Sequence, residues 1–166
     1  PMQTEVAGMY TISVKDGGKT VGHSQFEVLP DTMDGDASDV RSLQKSIDAD
    51  GLDQATIVVT LRDQYGNPLP GRPVTLVSSR SDDVIETDSS DTNVQGEQRF
   101  LLSTERSGTI IVRALDLLSG TPIGSSAQIS AGAARGGEDT TPVRRTSLRA
   151  QTVEFDVIDR FEITAP

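Results

Sequence analysis

Ala55-Thr-Ile57-Val-Val59-Thr-Leu61 and Val74-Thr-Leu76-Val77 are runs of β-branched and aliphatic residues, and between them lies DQYGNPLPGRP, residues 63–73. Such runs favour extended chain, because a branched Cβ packs well on a pleated surface and loses rotamer freedom in a helix. Pro68 and Pro70 fix φ and carry no N–H, so neither can stand in a central ladder. Gly66 and Gly71 can take positive φ at two corners, and Asp63 and Asn67 can bond nearby backbone as Asx turns. The block reads as a rigid connection between two strands that requires no chemistry of its own.

The same punctuation recurs along the chain. Gly8-Met-Tyr10-Thr-Ile12-Ser-Val14 alternates, Asp16-Gly17-Gly18-Lys19 supplies a turn, and a return strand carries Val21, Phe26 and Val28 up to Pro30,. The acidic stretch DTMDGDASD that follows reads as a linker over residues 31–37, with the next domain beginning at 38. Val40, Leu43 and Ile47 fit a helical spacing as well as an irregular strand, and the absence of a cap or sufficient length favours the strand. After the turn Ala49-Asp50-Gly51, strands are expected at 54–62, 72–78, 84–87, 98–103, 108–116 and 123–130, with a polar loop at 88–96. About seven short strands and no convincing helix indicate an all-β chain folded as a β-sandwich. Ile57, Val59, Leu61, Val74, Leu76, Phe100, Leu102, Ile110, Val112 and Ile129 are its expected core. Residues 132–151 read as a flexible connector holding Arg135, Arg144, Arg145 and Arg149, and 152–166 as a strand of a neighbouring or following domain, with Val153, Phe155 and Val157 on one side,.

An internal echo organises these pieces. Gly8-Met-Tyr10-Thr-Ile12-Ser-Val14-Lys-Asp16 matches Gly108-Thr-Ile110-Ile-Val112-Arg-Ala114-Leu-Asp116 in apolar pattern, and Val21-Gly22-His23-Ser24 matches Ile123-Gly124-Ser125-Ser126. The offset of about 100 residues is the size of one immunoglobulin-like domain. Residues 1–30 thus read as the closing hairpin of a preceding domain, and 38–131 as the complete one. An isolated hairpin is marginal in water and exposed strand edges seek partners. The hairpin and strand 153–163 are therefore expected to pair with each other, with a neighbouring copy, or with the rest of a longer assembly.

Composition narrows the function. The chain has no cysteine, which excludes disulfides, zinc–thiolate sites and a cysteine nucleophile,. With 15 basic against 25 acidic residues its net charge is −10, which argues against nucleic acid and anionic membranes as partners,. No apolar run approaches the roughly 18 residues of a membrane span. The single histidine, His23, stands beside Ser24 in the hairpin and reads as an exposed strand residue. Paired carboxylates such as Asp82-Asp83 lie in loops without an apolar pocket to raise a pKa. No catalytic site is expected. Asp31, Asp34, Asp36 and Asp39, at the junction of the two units, are oxygen donors that suit calcium and would stiffen the joint, but the reading preferred from the sequence is a solvated charged linker. Asp48, Asp50 and Asp53 form a second cluster, and neither follows EF-hand spacing.

Ala49-Asp50-Gly51, the strand ending at Asp63, Gly66-Asn67-Pro68-Leu69-Pro70-Gly71 and Val74-Thr-Leu76, followed by Asp91-Thr-Asn93-Val-Gln95-Gly96 and Ser107-Gly108-Thr109-Ile110, resemble in order the bacterial Ig-like domain of the invasin and intimin adhesins. The resemblance covers 38–130 and departs at 80–95, where the acidic loop is longer. The hairpin 8–28 is also similar to the closing hairpin of filamin-type Ig repeats. The first resemblance implies an Ig-like β-sandwich acting as a non-enzymatic structural or adhesive repeat: a spacer or stalk in a larger cell-surface or extracellular protein. Its implied partners are neighbouring Ig-like repeats, copies of itself, or a host or surface protein or glycan. Carbohydrate or protein recognition through end loops is the alternative, and a filamin-like scaffold repeat the third.

Overall fold

The computed structural model describes residues 4–133, so the connector beyond Ala133, the arginines at 135–149 and the strand expected at 152–166 lie outside the described residues. All regular structure in this span is β. Strands β1 (Gly8–Asp16) and β2 (Lys19–Val28) form an antiparallel hairpin that turns at Gly17-Gly18. Tyr10 faces Phe26 across it, with stacked rings 5.6 Å apart.

The remaining strands build a sandwich. One sheet runs in the order β3 (Met33–Ser42), β5 (Ala55–Asp63), β8 (Glu97–Ser103), β7 (Val84–Thr87), each neighbour antiparallel. The other centres on β9 (Gly108–Asp116), which pairs with β6 (Val74–Ser78) and, antiparallel, with β10 (Thr121–Pro122) and β11 (Ala127–Ala133). β4 (Ser46–Ala49) closes that sheet by pairing parallel with β11. Alternate residues of the facing strands point inward, and Ile57, Val59, Leu61, Leu102, Ile110, Val112 and Ile129 are wholly buried,. Val74 and Phe100 join them as expected, whereas Leu76 is half-buried on the edge strand β6. Met33, Ile47, Leu69 and Ile123 complete the core, which draws on residues 33–131 and on none of the hairpin.

Three boundaries differ from the sequence reading. The linker placed at 31–37 is largely strand, because β3 begins at Met33, whose side chain is in the core. Asp34 Oδ1 accepts the N–H groups of Asp36 (2.8 Å) and Ala37 (2.9 Å), bulging the strand so that its register with β5 breaks between Asp34 and Asp39,. The bulge presses on β10: Gly124 donates to the Gly35 carbonyl, and a Cβ on Gly35 would lie 2.7 Å from the Pro122 carbonyl oxygen. The single strand expected over 40–47 is split into β3 and β4. The chain crosses from one sheet to the other at Leu43–Lys45, with the Leu43 N–H on Thr56 of β5 and the Lys45 carbonyl on Ser130 of β11. Val40 and Ile47 consequently enter the core from opposite sides. The strand expected at 123–130 begins only at Ala127, as β11, and runs on to Ala133, while ahead of it Ser125 Oγ accepts the Val40 N–H.

Leu102 has no exposed surface and lies between the sheets. Leu102→Ala should lower stability by about 2–5 kcal/mol in denaturant titration. Val59→Asp should abolish the cooperative transition, because it buries a charge with no partner.

Candidate functional site

The turn block opens on Asp63, the last residue of β5, whose side chain is wholly buried. One carboxylate oxygen accepts the N–H groups of Tyr65 (3.0 Å) and Asn67 (2.8 Å), the Asx turn that the sequence suggests,. The other accepts the Asn67 side-chain amide (2.8 Å) and the N–H of Asp31 (2.9 Å), where the chain arrives from the hairpin. Burial alone would raise the Asp63 pKa, but the Asn67 amide and the three N–H groups outweigh it and hold the carboxyl below its usual value,.

Held in that way, Asn67 reaches back to the hairpin. Its Nδ2 donates to the Glu5 carbonyl (2.7 Å) and its Oδ1 accepts the Ala7 N–H (2.9 Å). An amide side chain presents a donor and an acceptor side by side, which matches a carbonyl and an N–H two residues apart on an irregular backbone. The start of the hairpin is gripped by Asn67 and its end, at Asp31, by Asp63. Gln64 adds a bond to the Asp31 carboxylate (2.9 Å).

A second loop supports the block from behind. Thr92 Oγ1 donates to the Leu69 carbonyl and accepts the Arg72 N–H, while the Thr92 carbonyl accepts the Gly71 N–H. Gly96 sits at φ 73°, and a Cβ there would lie 2.5 Å from the Leu61 carbonyl oxygen and 2.9 Å from the Leu69 nitrogen. Only glycine combines that backbone with that proximity. Arg72 then pairs with the buried carboxylate of Asp116 at the end of β9, which ties the block to the second sheet. Among the described residues, a second buried pair, Arg80 with Asp83 (2.6 Å), stands at the opposite end of the sandwich, where Arg80 also donates to Thr104 Oγ1 (2.8 Å).

The aspartates singled out from the sequence are dispersed among local backbone bonds. Asp31 accepts from its neighbour Thr32 and from Gln64, Asp34 shapes the β3 bulge, and Asp36 and Asp39 are exposed. In the second cluster Asp50 accepts the N–H groups of Asp53 and Leu52, which lower its pKa, and Asp53 accepts that of Asp48. Among the described residues no three Asp, Glu, His or Cys side chains converge as a metal-binding set. His23 is exposed on β2. Asn67 as a hairpin clamp was not evident from sequence, because its partners lie 60 and 62 residues away.

Residues 37–134 match the bacterial Ig-like domain (group 1). The chain belongs to that family. The β3–β11 sandwich is thus a bacterial Ig-like domain, and the hairpin 8–28 lies outside the matched residues. Solved structures with the same fold are those of the adhesin FdeC of Escherichia coli, of InvD of Yersinia pseudotuberculosis, and of invasin, a bacterial integrin-binding protein. FdeC is 17% identical at a TM-score of 0.63, over 77% of this chain and 41% of that one. InvD is 23% identical at 0.63, over 81% and 41%. Invasin is 24% identical at 0.55, over 76% and 25%. The chain therefore spans less than half of each of these three, and the likeness is one of fold. No curated protein matches the chain in sequence.

A carboxyl whose folded pKa is depressed contributes stability that is complete above its unfolded value of about 3.9 and lost as pH falls through the lower folded value. Asp63, Asp83 and Asp116 all have depressed pKa values. The melting temperature should thus hold from neutral pH to about 4 and fall below it. Asp63→Asn should flatten that fall while costing about 2 kcal/mol or more at neutral pH, since charge-assisted bonds are lost. Gly96→Ala should cost about 2 kcal/mol or more by the same melting assay, because alanine is strained at positive φ and its Cβ meets backbone.

Proposed function

We propose that this chain is a non-enzymatic spacer or stalk repeat of a larger cell-surface or extracellular adhesin, and that it holds the preceding repeat at a fixed angle. The observation that carries this reading is the grip of Asn67 and Asp63 on both ends of a hairpin that contributes nothing to the sandwich core. Two modules joined only by chain would pivot at residues 29–32. The bonds of Asn67 to Glu5 and Ala7, together with the bond from Asp31 within the pivot to the buried Asp63 carboxylate, remove that freedom,. The hairpin carries Tyr10, Ile12 and Val14 where β9 carries Ile110, Val112 and Ala114, which supports its origin as the closing strands of a preceding repeat. A stalk needs such joints and no pocket chemistry, and the adhesin FdeC, which shares the fold, supports a place at the cell surface.

The absence of cysteine makes the test direct. Spin labels at Thr20→Cys on the hairpin and Ser90→Cys on the sandwich should give one narrow distance distribution in the full chain. Ala7→Pro, which deletes the donor to Asn67 without touching the sandwich, should broaden it. A distribution already broad in the unaltered chain would exclude a fixed joint.

A further inference from the structure

The turn that Asn67 grips occurs twice in this chain. Thr4-Glu5-Val6-Ala7-Gly8 leads into β1, and Thr104-Glu105-Arg106-Ser107-Gly108 leads into β9. The two share Thr, Glu and Gly at matching positions, and they share geometry. Thr4 Oγ1 accepts the Val6 N–H at 3.3 Å and donates to the Val6 carbonyl at 3.5 Å. Thr104 Oγ1 does the same with Arg106, at 3.2 and 3.5 Å. Gly8 and Gly108 both take positive φ, 148° and 125°. In the first copy of the turn, the Glu5 carbonyl and the Ala7 N–H are the pair held by Asn67. The matching pair in the second copy is the Glu105 carbonyl and the Ser107 N–H.

Those two groups sit at the end of the sandwich opposite Asp63. Asp63 marks one end of β5, while Ala55, at the other, pairs with Leu102 just before the Thr104 turn. Glu105, Arg106 and Ser107 are exposed, and among the described residues no turn, loop or side-chain hydrogen bond uses the Glu105 carbonyl or the Ser107 N–H. The turn is nonetheless held firmly from beneath. Arg80, anchored by Asp83, donates to the carbonyls of Arg106 (3.0 Å) and Ser107 (3.4 Å), and the Thr104 carbonyl accepts the Gly51 N–H. A hollow lined by Gly51, Asp82, Val84 and Thr104–Arg106 lies beside it.

We infer that the Thr104–Gly108 turn is the docking surface for the next Ig-like repeat, whose partner group is an asparagine amide presented by an Asp-x-x-x-Asn turn like that of Asp63–Asn67. The partner's Nδ2 donates to the Glu105 carbonyl and its Oδ1 accepts the Ser107 N–H. Each sandwich then has an asparagine at one end and the backbone pair it recognises at the other, a head-to-tail arrangement that propagates. This rests on the stalk reading above and adds to it the residues and chemistry of the second joint.

The test is a fusion in which residues 4–133 are followed directly by a second copy of 31–133. Because the core draws only on 33–131, the second copy carries everything that its fold needs. The spacing is preserved, since Val28-Leu29-Pro30-Asp31 is reproduced by Ala131-Gly132-Ala133 followed by the second Asp31. Amide hydrogen exchange is read at Ala7 and at Ser107 of the first copy. In the unfused full chain Ala7 should exchange slowly and Ser107 fast. In the fusion Ser107 should slow by about tenfold or more, as a net hydrogen bond implies. Asn67→Ala confined to the second copy should restore fast exchange at Ser107, with the amide of Leu102 in that copy reporting that its sandwich remains folded. Fast exchange of Ser107 in the fusion while Ala7 stays protected would overturn this inference and leave the first joint standing. Fast exchange at Ala7 as well would overturn the fixed joint and this inference together.

Discussion

The Asp63 carboxylate is the fixed point of the molecule. It ends β5 without exposed surface and gathers three backbone N–H groups and one side-chain amide. A charge in that position is tolerable only because each donor compensates for lost water, and the compensation works both ways. The donors are drawn from Asp31, Tyr65 and Asn67, so the arriving chain and the Gly-Pro block are oriented relative to β5 by one group. Asn67 could not aim its amide at the hairpin if Asp63 did not hold it.

The same device recurs where a secreted domain would often use a disulfide. Asp116 ends β9, is equally buried, and is matched by Arg72 and Ser119. Asp83 pairs with Arg80 beneath the Thr104 turn. Burying ion pairs adds little net stability over apolar packing, yet removing one partner is strongly destabilising, so such pairs specify geometry more than they add free energy. In a chain without cysteine, carboxylates at strand ends fix the directions in which loops leave the sandwich. The exposed pair Arg106–Asp82 is of another kind and adds little,.

Fixed loop directions matter for a repeat because orientation errors at successive joints would accumulate along a stalk. On the stalk reading proposed above, the working surfaces are the two ends of the sandwich rather than a cavity. At one end the Asp63–Asn67 turn meets irregular backbone, and at the other the Thr104–Gly108 turn presents such backbone again. Recognition of main-chain groups by an asparagine asks little of the partner's side chains beyond the Thr and Gly that shape the turn.

Local patterning was enough to assign most of the strands and their faces. Side-chain alternation is a local property, so Ile57, Val59 and Leu61, or Ile110 and Val112, could be assigned to the core without a partner in view. The rigid Gly-Pro block, the hairpin with its Gly17-Gly18 turn and the echo between residues 8–16 and 108–116 were legible for the same reason. Beyond the Asx turn at Asp63, the roles of the acidic residues followed only from packing between distant segments. Asp34 looked like part of a linker and instead shapes a bulge in a core strand, because the burial of Met33 and the approach of Gly35 to Pro122 depend on segments about 90 residues apart. It also split the segment 40–47 between two sheets, since the partners at Thr56 and Ser130 exist only once the sandwich has closed. Asn67 was read as a turn residue, which it is. That its amide also clamps the start of the hairpin follows from pairing across 60 residues of chain, a distance over which local patterns carry no information.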